Sequence, residues 1–178
     1  MGFCMAREGL PDYLGPGLKV ILVGINPGLR SAEVGHHFAG PGNHFWKLLH
    51  DSGLTSRRLS HEEDAVLLDF GIGLTNIVDR PTRGSGDLGK DDFSRGRRAL
   101  ARKITRFRPT SVGFVGVTVY REFKGLPGTV RCGLQNERIE GADIFVLPNP
   151  SGRNAHYTYS QMLRHWRNLA RRLRRRHA

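Results

Sequence analysis

The chain contains very little cysteine and no long apolar segment. Cys4 and Cys132 are the only cysteines among 178 residues. Two thiols exclude a disulfide framework, a four-cysteine zinc site and a four-cysteine iron–sulfur cluster. No run of about 18 apolar residues is present, so no membrane-spanning helix is expected. The first ten residues carry Glu8 and lack the apolar stretch of a signal peptide, which favours a protein that stays inside the cell.

Several common catalytic and cofactor motifs are also missing. The segment 24–31 lacks the Gly-Lys-Ser/Thr ending of a Walker loop, and no G-x-G-x-x-G sequence follows an apolar run. Ser151 lacks the flanking glycines of a nucleophile elbow. His36, His37 and His44 lie close together without the spacing of a metal-ligand set. We therefore expect no metal, no cofactor and no covalent nucleophile.

Acidic residues are scarce compared with basic ones. There are 28 Lys and Arg against 16 Asp and Glu, which gives a formal net charge of +12 and a pI near 10.8. Such an excess favours a polyanionic partner, most commonly nucleic acid. A basic surface that serves only solubility remains the alternative. The basic residues gather in two segments, 95–108 and 171–176, which predict a broad positive field.

The remaining sequence alternates short apolar runs with amphipathic segments. The apolar runs, which are typical of buried strands, lie at 20–23, 72–78, 111–116 and 143–147. Amphipathic spacing predicts helices at 43–50, 91–107 and 158–175. A small hairpin is predicted within 129–140. Strands separated by helices form a mainly parallel sheet covered on both sides. We expect a single three-layer α/β/α domain over residues 1–178, with 1–16 and 171–178 at its periphery.

Two turn-forming segments follow predicted strands directly. Gly24–Gly28 comes after the first apolar run, and Pro148–Gly152 comes after the last. Ligands of such sheets bind beyond the carboxyl ends of the strands. Each segment is also compatible with an ordinary turn, because Gly, Pro and Asn dominate turns. Their shared position on one edge of the sheet makes them candidates for a binding site.

Four sequence blocks carry a resemblance to a known family. The most specific are Gly-Ile-Asn-Pro-Gly at 24–28 and Gly-Pro-Gly-Asn-His-Phe-Trp-Lys at 40–47, and the others are 71–82 and 147–152. In this order they resemble the mismatch-specific uracil/thymine DNA glycosylases over about residues 17–169. The resemblance implies a monofunctional DNA glycosylase that excises uracil from G-mismatched duplex DNA. Mispaired thymine and damaged cytosine are further candidate substrates. The resemblance also implies that excision proceeds by base flipping and water attack and that it starts base excision repair.

The resemblance also assigns roles around the flipped base. Asn26 matches the family's catalytic asparagine, whose amide oxygen holds and aims a water, because a carboxamide is not an efficient general base near pH 7. Phe38 matches an aromatic residue that stacks on the base, which contributes ~1–3 kcal/mol. The other expected base-pocket residues are Ile25, Ser31, Asn76 and Thr82. For Asn76 and Thr82 a purely structural role is the alternative.

Two further assignments concern a carboxylate and a loop. Asp79 is the carboxylate nearest the motifs; it is a candidate base for the water, and an ion pair with Arg80 or Arg83 is the favoured alternative. The segment after the last strand matches the family's DNA insertion loop, with Arg153 at the position that fills the gap left by the flipped nucleotide. A phosphate contact is the alternative for Arg153. The other expected members of the loop are Asn149, Ser151 and Gly152.

The implied partner is double-stranded DNA with a mismatched or damaged base. We expect a monomer in the cytoplasm, associated with the nucleoid if the protein is bacterial, and no membrane partner. Two other functions remain open. One is a catalytically weak reader of mismatched or modified DNA, and the other is a small-molecule hydrolase that uses the same edge of the sheet.

Overall fold

Five strands form one twisted sheet in the computed structural model, which describes residues 9–125 and 127–177. The strands are β1 (Val20–Gly24), β2 (Ile72–Asn76), β3 (Ser111–Val115), β4 (Gly133–Ile139) and β5 (Ala142–Leu147). Their order across the sheet is β2-β1-β3-β5-β4. Strands β2, β1, β3 and β5 are parallel, and β4 runs antiparallel to β5. The prediction of a central, mainly parallel sheet is therefore confirmed.

Helices cover both faces of this sheet. They are α1 (Leu29–Val34), α2 (Phe45–Asp51), α3 (Lys90–Phe107), α4 (Val117–Lys124) and α5 (Tyr159–His177), with 3₁₀ segments at His61–Phe70 and Ser85–Asp87. Successive residues of a strand point to opposite faces. Val20 and Leu22 accordingly pack with α2 and α5, whereas Ile21 and Val23 pack with α3 and α4. The predicted three layers follow from this alternation. In the part of the chain that the structure describes, every helix is too short or too polar to cross a membrane.

The hairpin lies later in the chain than the sequence indicated. Glu140 and Gly141 form the turn between β4 and β5, both with positive φ, 48° and 81°. The predicted hairpin within 129–140 is therefore wrong, because that segment supplies only one of the two paired strands. The sequence also gave no indication of α1 or α4, which have 6 and 8 residues and are too short for a clear helical period.

The segment before β1 is packed onto the sheet. Tyr13 exchanges two backbone hydrogen bonds of 2.9 Å with Leu74 of β2. Asp12 accepts a hydrogen bond from the Thr75 hydroxyl at 2.5 Å and pairs with Lys103 of α3 at 2.7 Å. Residues 9–16 thus contact the sheet, although all of them are exposed or partly buried, and their peripheral position stays a prediction. Residues 1–8, including Cys4, lie outside the described part of the chain.

The arginine-rich end of the chain is part of α5. Leu173 is buried in the core, and Arg172 and Arg176 pair with Asp143 at 2.8 and 3.0 Å. Asp143 is itself buried near the start of β5 and also accepts from Arg138 at 3.2 Å. These pairs and the core contact of Leu173 attach the helix end to the domain, although five of the residues 171–177 are exposed; their peripheral position stays a prediction. Ala178 lies outside the described residues.

The Asp143 cluster predicts a stability effect with a defined pH dependence. Burial alone raises the pKa of Asp143, but hydrogen bonds from Arg172 and Arg176 outweigh it, so the net pKa is lowered. A lowered folded-state pKa stabilises the protein above the unfolded value of ~3.9, and this contribution is lost as the pH falls further. We expect Asp143→Asn to lower the free energy of unfolding by about 1–3 kcal/mol at pH 7, and by less at pH 3, in urea titrations.

A nearby exposed carboxylate provides the control for this measurement. Glu140 lies three residues before Asp143 and is exposed. We expect Glu140→Gln to change the free energy of unfolding by no more than ~0.5 kcal/mol. Equal stability of Asp143→Asn and the unsubstituted protein at pH 7 would contradict the proposed contribution of the cluster.

Candidate active site

A cavity of about 260 Å³ lies at the carboxyl edge of the sheet, where the four parallel strands end. This volume is below the ~300–1,000 Å³ of sites for drug-sized ligands, and it suits a small planar ring. The loop after β1 and the 37–43 segment form one side, and the 115–119 segment forms the other. The side chains and backbone that line it belong to residues including Ile25, Asn26, Ser31, Phe38, Asn76 and Asn149. The structure thus brings together six residues that the sequence placed at the site.

The side-chain amide of Asn26 is held by the loop after β2. Its Nδ2 donates to the Arg80 carbonyl at 2.9 Å and to the Thr82 hydroxyl at 2.7 Å. The Thr82 hydroxyl uses its own proton to donate to the Gly84 carbonyl at 2.8 Å, so it acts as an acceptor toward Asn26. Both partners of Asn26 are therefore acceptors, and only the NH₂ end of the amide can face them.

This orientation determines which atom of Asn26 is available. With Nδ2 directed at two acceptors, the Oδ1 atom has no protein donor among residues 9–125 and 127–177. Asn26 is only partly buried and lines the cavity. Its oxygen is therefore a fixed hydrogen-bond acceptor for a water or a ligand. The backbone supports this loop too, because the Thr82 N–H donates to the Pro27 carbonyl at 3.1 Å.

Phe38 presents an aromatic ring in an unusual backbone conformation. Its φ is +51°, in the left-handed region that bulky residues rarely adopt. Such strain costs of order 1–3 kcal/mol and clusters at functional sites. One face of the ring is stacked on Phe45, with centroids 3.8 Å apart and planes at 11°. Because Phe38 also lines the cavity, the stack fixes the plane against which a ligand ring would lie.

Asn76 ends β2 and is nearly buried at 8% exposure. Its amide lies over Gly24, where a Cβ atom would overlap Asn76 Oδ1 and would lie 3.3 Å from the Phe38 ring. Glycine at position 24 thus allows Asn76 and Phe38 to approach the same wall of the cavity. Ser31 contributes differently, because its buried hydroxyl accepts a hydrogen bond from the Ala39 N–H at 3.1 Å, which ties α1 to the segment that carries Phe38.

Two predicted site residues lie elsewhere. Thr82 does not line the cavity. Its hydroxyl accepts a hydrogen bond from Asn26, so Thr82 supports the Asn26 amide and does not belong to the expected base pocket. Asp79 is exposed and lines a different cavity. The favoured ion pair of Asp79 is also wrong for the described residues. Arg80 pairs with Asp92 at 2.7 Å, and within the described ranges Arg83 has no carboxylate oxygen within 4 Å. Asp79 is therefore not placed to act on a water at Asn26.

The segment after β5 is braced against the loop before α2. The His44 N–H donates to the Pro150 carbonyl at 2.8 Å, and a Cβ on Gly152 would lie 2.7 Å from the Gly42 carbonyl. Asn149 closes the turn by accepting from the Ser151 N–H at 3.0 Å. Arg153 is exposed and lines an adjacent cavity of about 350 Å³, together with Asn149 and Ser151. Asn149 thus lines both cavities, and Ser151 and Arg153 line the adjacent one.

His37 also lines the cavity, although no sequence pattern predicts it there. His37 is 1% exposed, and its backbone N–H donates to the buried Asp64 carboxylate at 3.0 Å. Burial lowers the pKa of His37 despite its hydrogen bond to the Pro11 carbonyl, so the ring is neutral at pH 7. Its Nε2 lies 2.9 Å from that carbonyl and must carry the proton. Its burial and the contact with the Pro11 carbonyl distinguish it from His36, whose more exposed ring also contacts Asp64, at 3.2 Å.

Comparisons with known proteins identify a matching family and a similar fold. The family model described as the uracil DNA glycosylase superfamily matches residues 11–172 of the chain. Among solved structures, the fold is similar to the solution NMR structure of a proposed uracil DNA glycosylase from Methanosarcina acetivorans. That match has a TM-score of 0.65 and 22% sequence identity, and it covers 96% of this chain and 99% of the other. At this identity the likeness establishes a common fold.

The contact between Gly24 and Asn76 gives a test of the cavity wall. In Gly24→Ala the new Cβ must displace Asn76, so we expect a loss of about 1–3 kcal/mol in the free energy of unfolding and shifted NMR signals of the Asn76 side-chain amide. Gly28→Ala is the matched control, because Gly28 has φ −69° and open space at its Cβ position. Similar losses in both variants would show that the wall does not depend on Gly24.

Proposed function

The chain belongs to the uracil DNA glycosylase superfamily, and from this premise we propose that it is a monofunctional DNA glycosylase that removes uracil from G·U mismatches in duplex DNA. Asn26 carries the proposal, because its amide nitrogen is anchored and its oxygen is left to accept from a water. The remaining steps follow from the residues around this amide. Mispaired thymine and damaged cytosine are further candidate substrates.

Water attack requires a positioned oxygen nucleophile. A water that donates to Asn26 Oδ1 directs a lone pair toward C1′ of the deoxyribose. The C1′–N1 bond breaks, the water oxygen bonds to C1′, uracil leaves with the bonding electron pair, and the excess proton of the water passes to solvent or to the departing base. A carboxamide takes up no proton, so the rate depends on positioning and electrostatic stabilisation. The DNA phosphates stabilise the cationic sugar.

The cavity has the components needed to hold a pyrimidine ring. The free face of the Phe38 ring offers stacking, which contributes ~1–3 kcal/mol per base. Asn76 supplies an amide with both donor and acceptor atoms for the polar edge of uracil. Ile25 and Ser31 line the same space.

Uracil inside a duplex cannot reach this cavity, so the nucleotide must leave the base stack. Unstacking costs a few kcal/mol and least at a mismatch, which favours G·U over a matched pair. We assign Arg153 to the resulting gap, where its planar guanidinium can donate to the unpaired guanine. The brace between Gly152 and Gly42 holds this arginine at the cavity rim, and Asn149 and Ser151 shape the turn before it.

The choice between uracil and thymine depends on one methyl group. Burial of a methyl group contributes ~1 kcal/mol, so small changes in the wall decide whether thymine is accepted. Ser31 is one such wall residue, and its hydroxyl is already engaged by Ala39. Excision rates for G·U, G·T and A·U duplexes and for single-stranded uracil DNA measure this selectivity directly.

The central test is the replacement of Asn26. We expect Asn26→Ala to reduce the single-turnover excision rate on a G·U duplex by about 10²-fold or more, because the water loses its fixed acceptor. Abasic sites are detected as strand breaks after alkali treatment, and duplex binding is measured in parallel. Asn168→Ala, an exposed asparagine on α5, is the control and should keep the rate of the unsubstituted protein.

Other outcomes of that assay identify the alternatives. Binding to mismatched DNA without strand breaks in the unsubstituted protein would favour a catalytically weak reader. Absence of both binding and breaks would leave a small-molecule hydrolase. An unchanged rate in Asn26→Ala would refute the proposed role of its amide.

The position of Thr82 behind Asn26 gives a second test. We propose Thr82 as a positioning residue that fixes the orientation of the Asn26 amide. In Thr82→Val the hydroxyl acceptor is lost, and we expect kcat to fall about 10–100-fold with little change in KM. Thr82→Ser retains the hydroxyl and should restore kcat. Equal kcat values for the Val and Ser variants would contradict this role.

A further inference from the structure

Six of the seven arginines of α5 fall into two groups with different surroundings, and the seventh, Arg174, lies beside Gly53. Arg172 and Arg176 face the Asp143 carboxylate. A second group recurs every three or four residues and therefore shares one side of the helix. Trp166 and Leu173 point from the opposite side into the core. We call the second group, which is exposed along its whole length, the α5 arginine stripe: Arg164, Arg167, Arg171 and Arg175.

The α5 arginine stripe has no carboxylate partner in the described part of the chain. Helix α5 contains no Asp or Glu. Within residues 9–125 and 127–177, every ion pair of this helix involves Arg172 or Arg176. The stripe therefore presents four guanidinium groups whose charge is not offset by a neighbouring carboxylate. Side chains that serve only helix stability are usually paired or mixed with acidic residues on the same face.

Helix α3 offers a comparison within the same molecule. It carries a similar exposed row, Arg95, Arg98, Arg102 and Arg106. This row begins beside two carboxylates, Asp91 and Asp92. Arg95 pairs with Asp92 at 3.1 Å. The two rows thus have equal formal charge and equal spacing, but only the α3 row has acidic neighbours on its own helix.

The stripe has dimensions that fit a DNA strand. Arg164 and Arg175 are about 17 Å apart along the axis of α5, at ~1.5 Å per residue. One strand of B-DNA carries one phosphate per ~3.4 Å of the DNA axis, so about 17 Å of that axis contains about five phosphates of the strand. Guanidinium groups bind phosphate oxygens through two parallel hydrogen bonds. The apolar side of α5 is buried in the core, so the helix has no apolar face to insert into a lipid surface.

The start of α5 lies beside the cavity rim. Tyr159, its first residue, has its ring 5.4 Å from that of His44, and His44 is bonded to the loop after β5 through Pro150. The stripe extends from this point away from the cavity.

We propose that the α5 arginine stripe is a second DNA-binding surface, which holds phosphates outside the base pair that faces the cavity. This inference rests on the proposed function for its choice of DNA as the partner.

The experiment measures the salt dependence of binding to an undamaged duplex. Each phosphate contact adds about 0.9 to the slope of log K against log salt concentration. We expect replacement of all four stripe residues by Gln to reduce the magnitude of this slope by about 2–4. Replacement by Lys keeps the charge and should keep the slope within about 1 of the original value. Circular dichroism and thermal unfolding verify that both variants fold.

The α3 row supplies the matched control. Replacement of all four residues of the α3 row by Gln removes the same formal charge. We expect this variant to change the slope of log K against log salt concentration by less than about 1. An unchanged slope in the α5 Gln variant would overturn the proposal. Equal reductions in the α3 and α5 variants would also overturn it, because they would indicate a general charge effect. A loss of binding to anionic vesicles with no change on DNA would assign the stripe to a membrane surface instead.

A second readout separates this proposal from the glycosylase function. Single-turnover excision at saturating G·U duplex does not depend on affinity, so the α5 Gln variant should keep the rate of the unsubstituted protein. If the unsubstituted protein excises no uracil while the α5 Gln variant still shows the reduced slope, the proposed function fails and the second surface stands. If the unsubstituted protein excises uracil and the α5 Gln variant keeps the original salt slope, the proposed function stands and the second surface fails.

Discussion

The hydrogen bonds from the Asn26 amide nitrogen to the loop after β2 are the constraint on which the candidate site depends. An asparagine side chain has two ends of similar shape and opposite hydrogen-bonding character. The Arg80 carbonyl and the Thr82 hydroxyl accept at one end, and so the other end can only be an acceptor. A contact between residues 54 positions apart in the sequence thereby makes the atom of Asn26 that is left for the cavity a hydrogen-bond acceptor, Oδ1.

Much of the fold and part of this arrangement were predictable from the sequence. Continuous apolar runs such as 20–23 indicate strands buried on both faces, and parallel strands end at one edge of a sheet. The positions of Asn26, Phe38 and Asn76 at that edge followed from this reasoning together with the family resemblance, and all three line the cavity. Their roles in catalysis and base binding remain proposals.

The residues that the sequence misplaced depend on contacts between distant segments. Thr82 and Asp79 lie three residues apart on one loop, yet Thr82 supports Asn26 while Asp79 faces another cavity. No local pattern distinguishes the two, because the difference arises from the path of the loop after β2. His37 is a similar case, since its burial depends on Pro11 and Asp64. Side-chain direction in loops is set by tertiary packing and has no period in the sequence.

The arginines of α5 show how one residue type acquires two roles. A buried carboxylate such as Asp143 costs free energy unless charged partners compensate it, so Arg172 and Arg176 are used by the fold. Among the described residues, the arginines of the α5 arginine stripe have no carboxylate to compensate. In the proposed glycosylase, the phosphates next to the flipped nucleotide supply the negative charge near the cationic sugar, whereas the stripe holds phosphates farther along the duplex and contributes to affinity. The net charge of +12 then serves mainly to bind the duplex, because Coulomb attraction to phosphates raises affinity and association rate without a change in the chemical step.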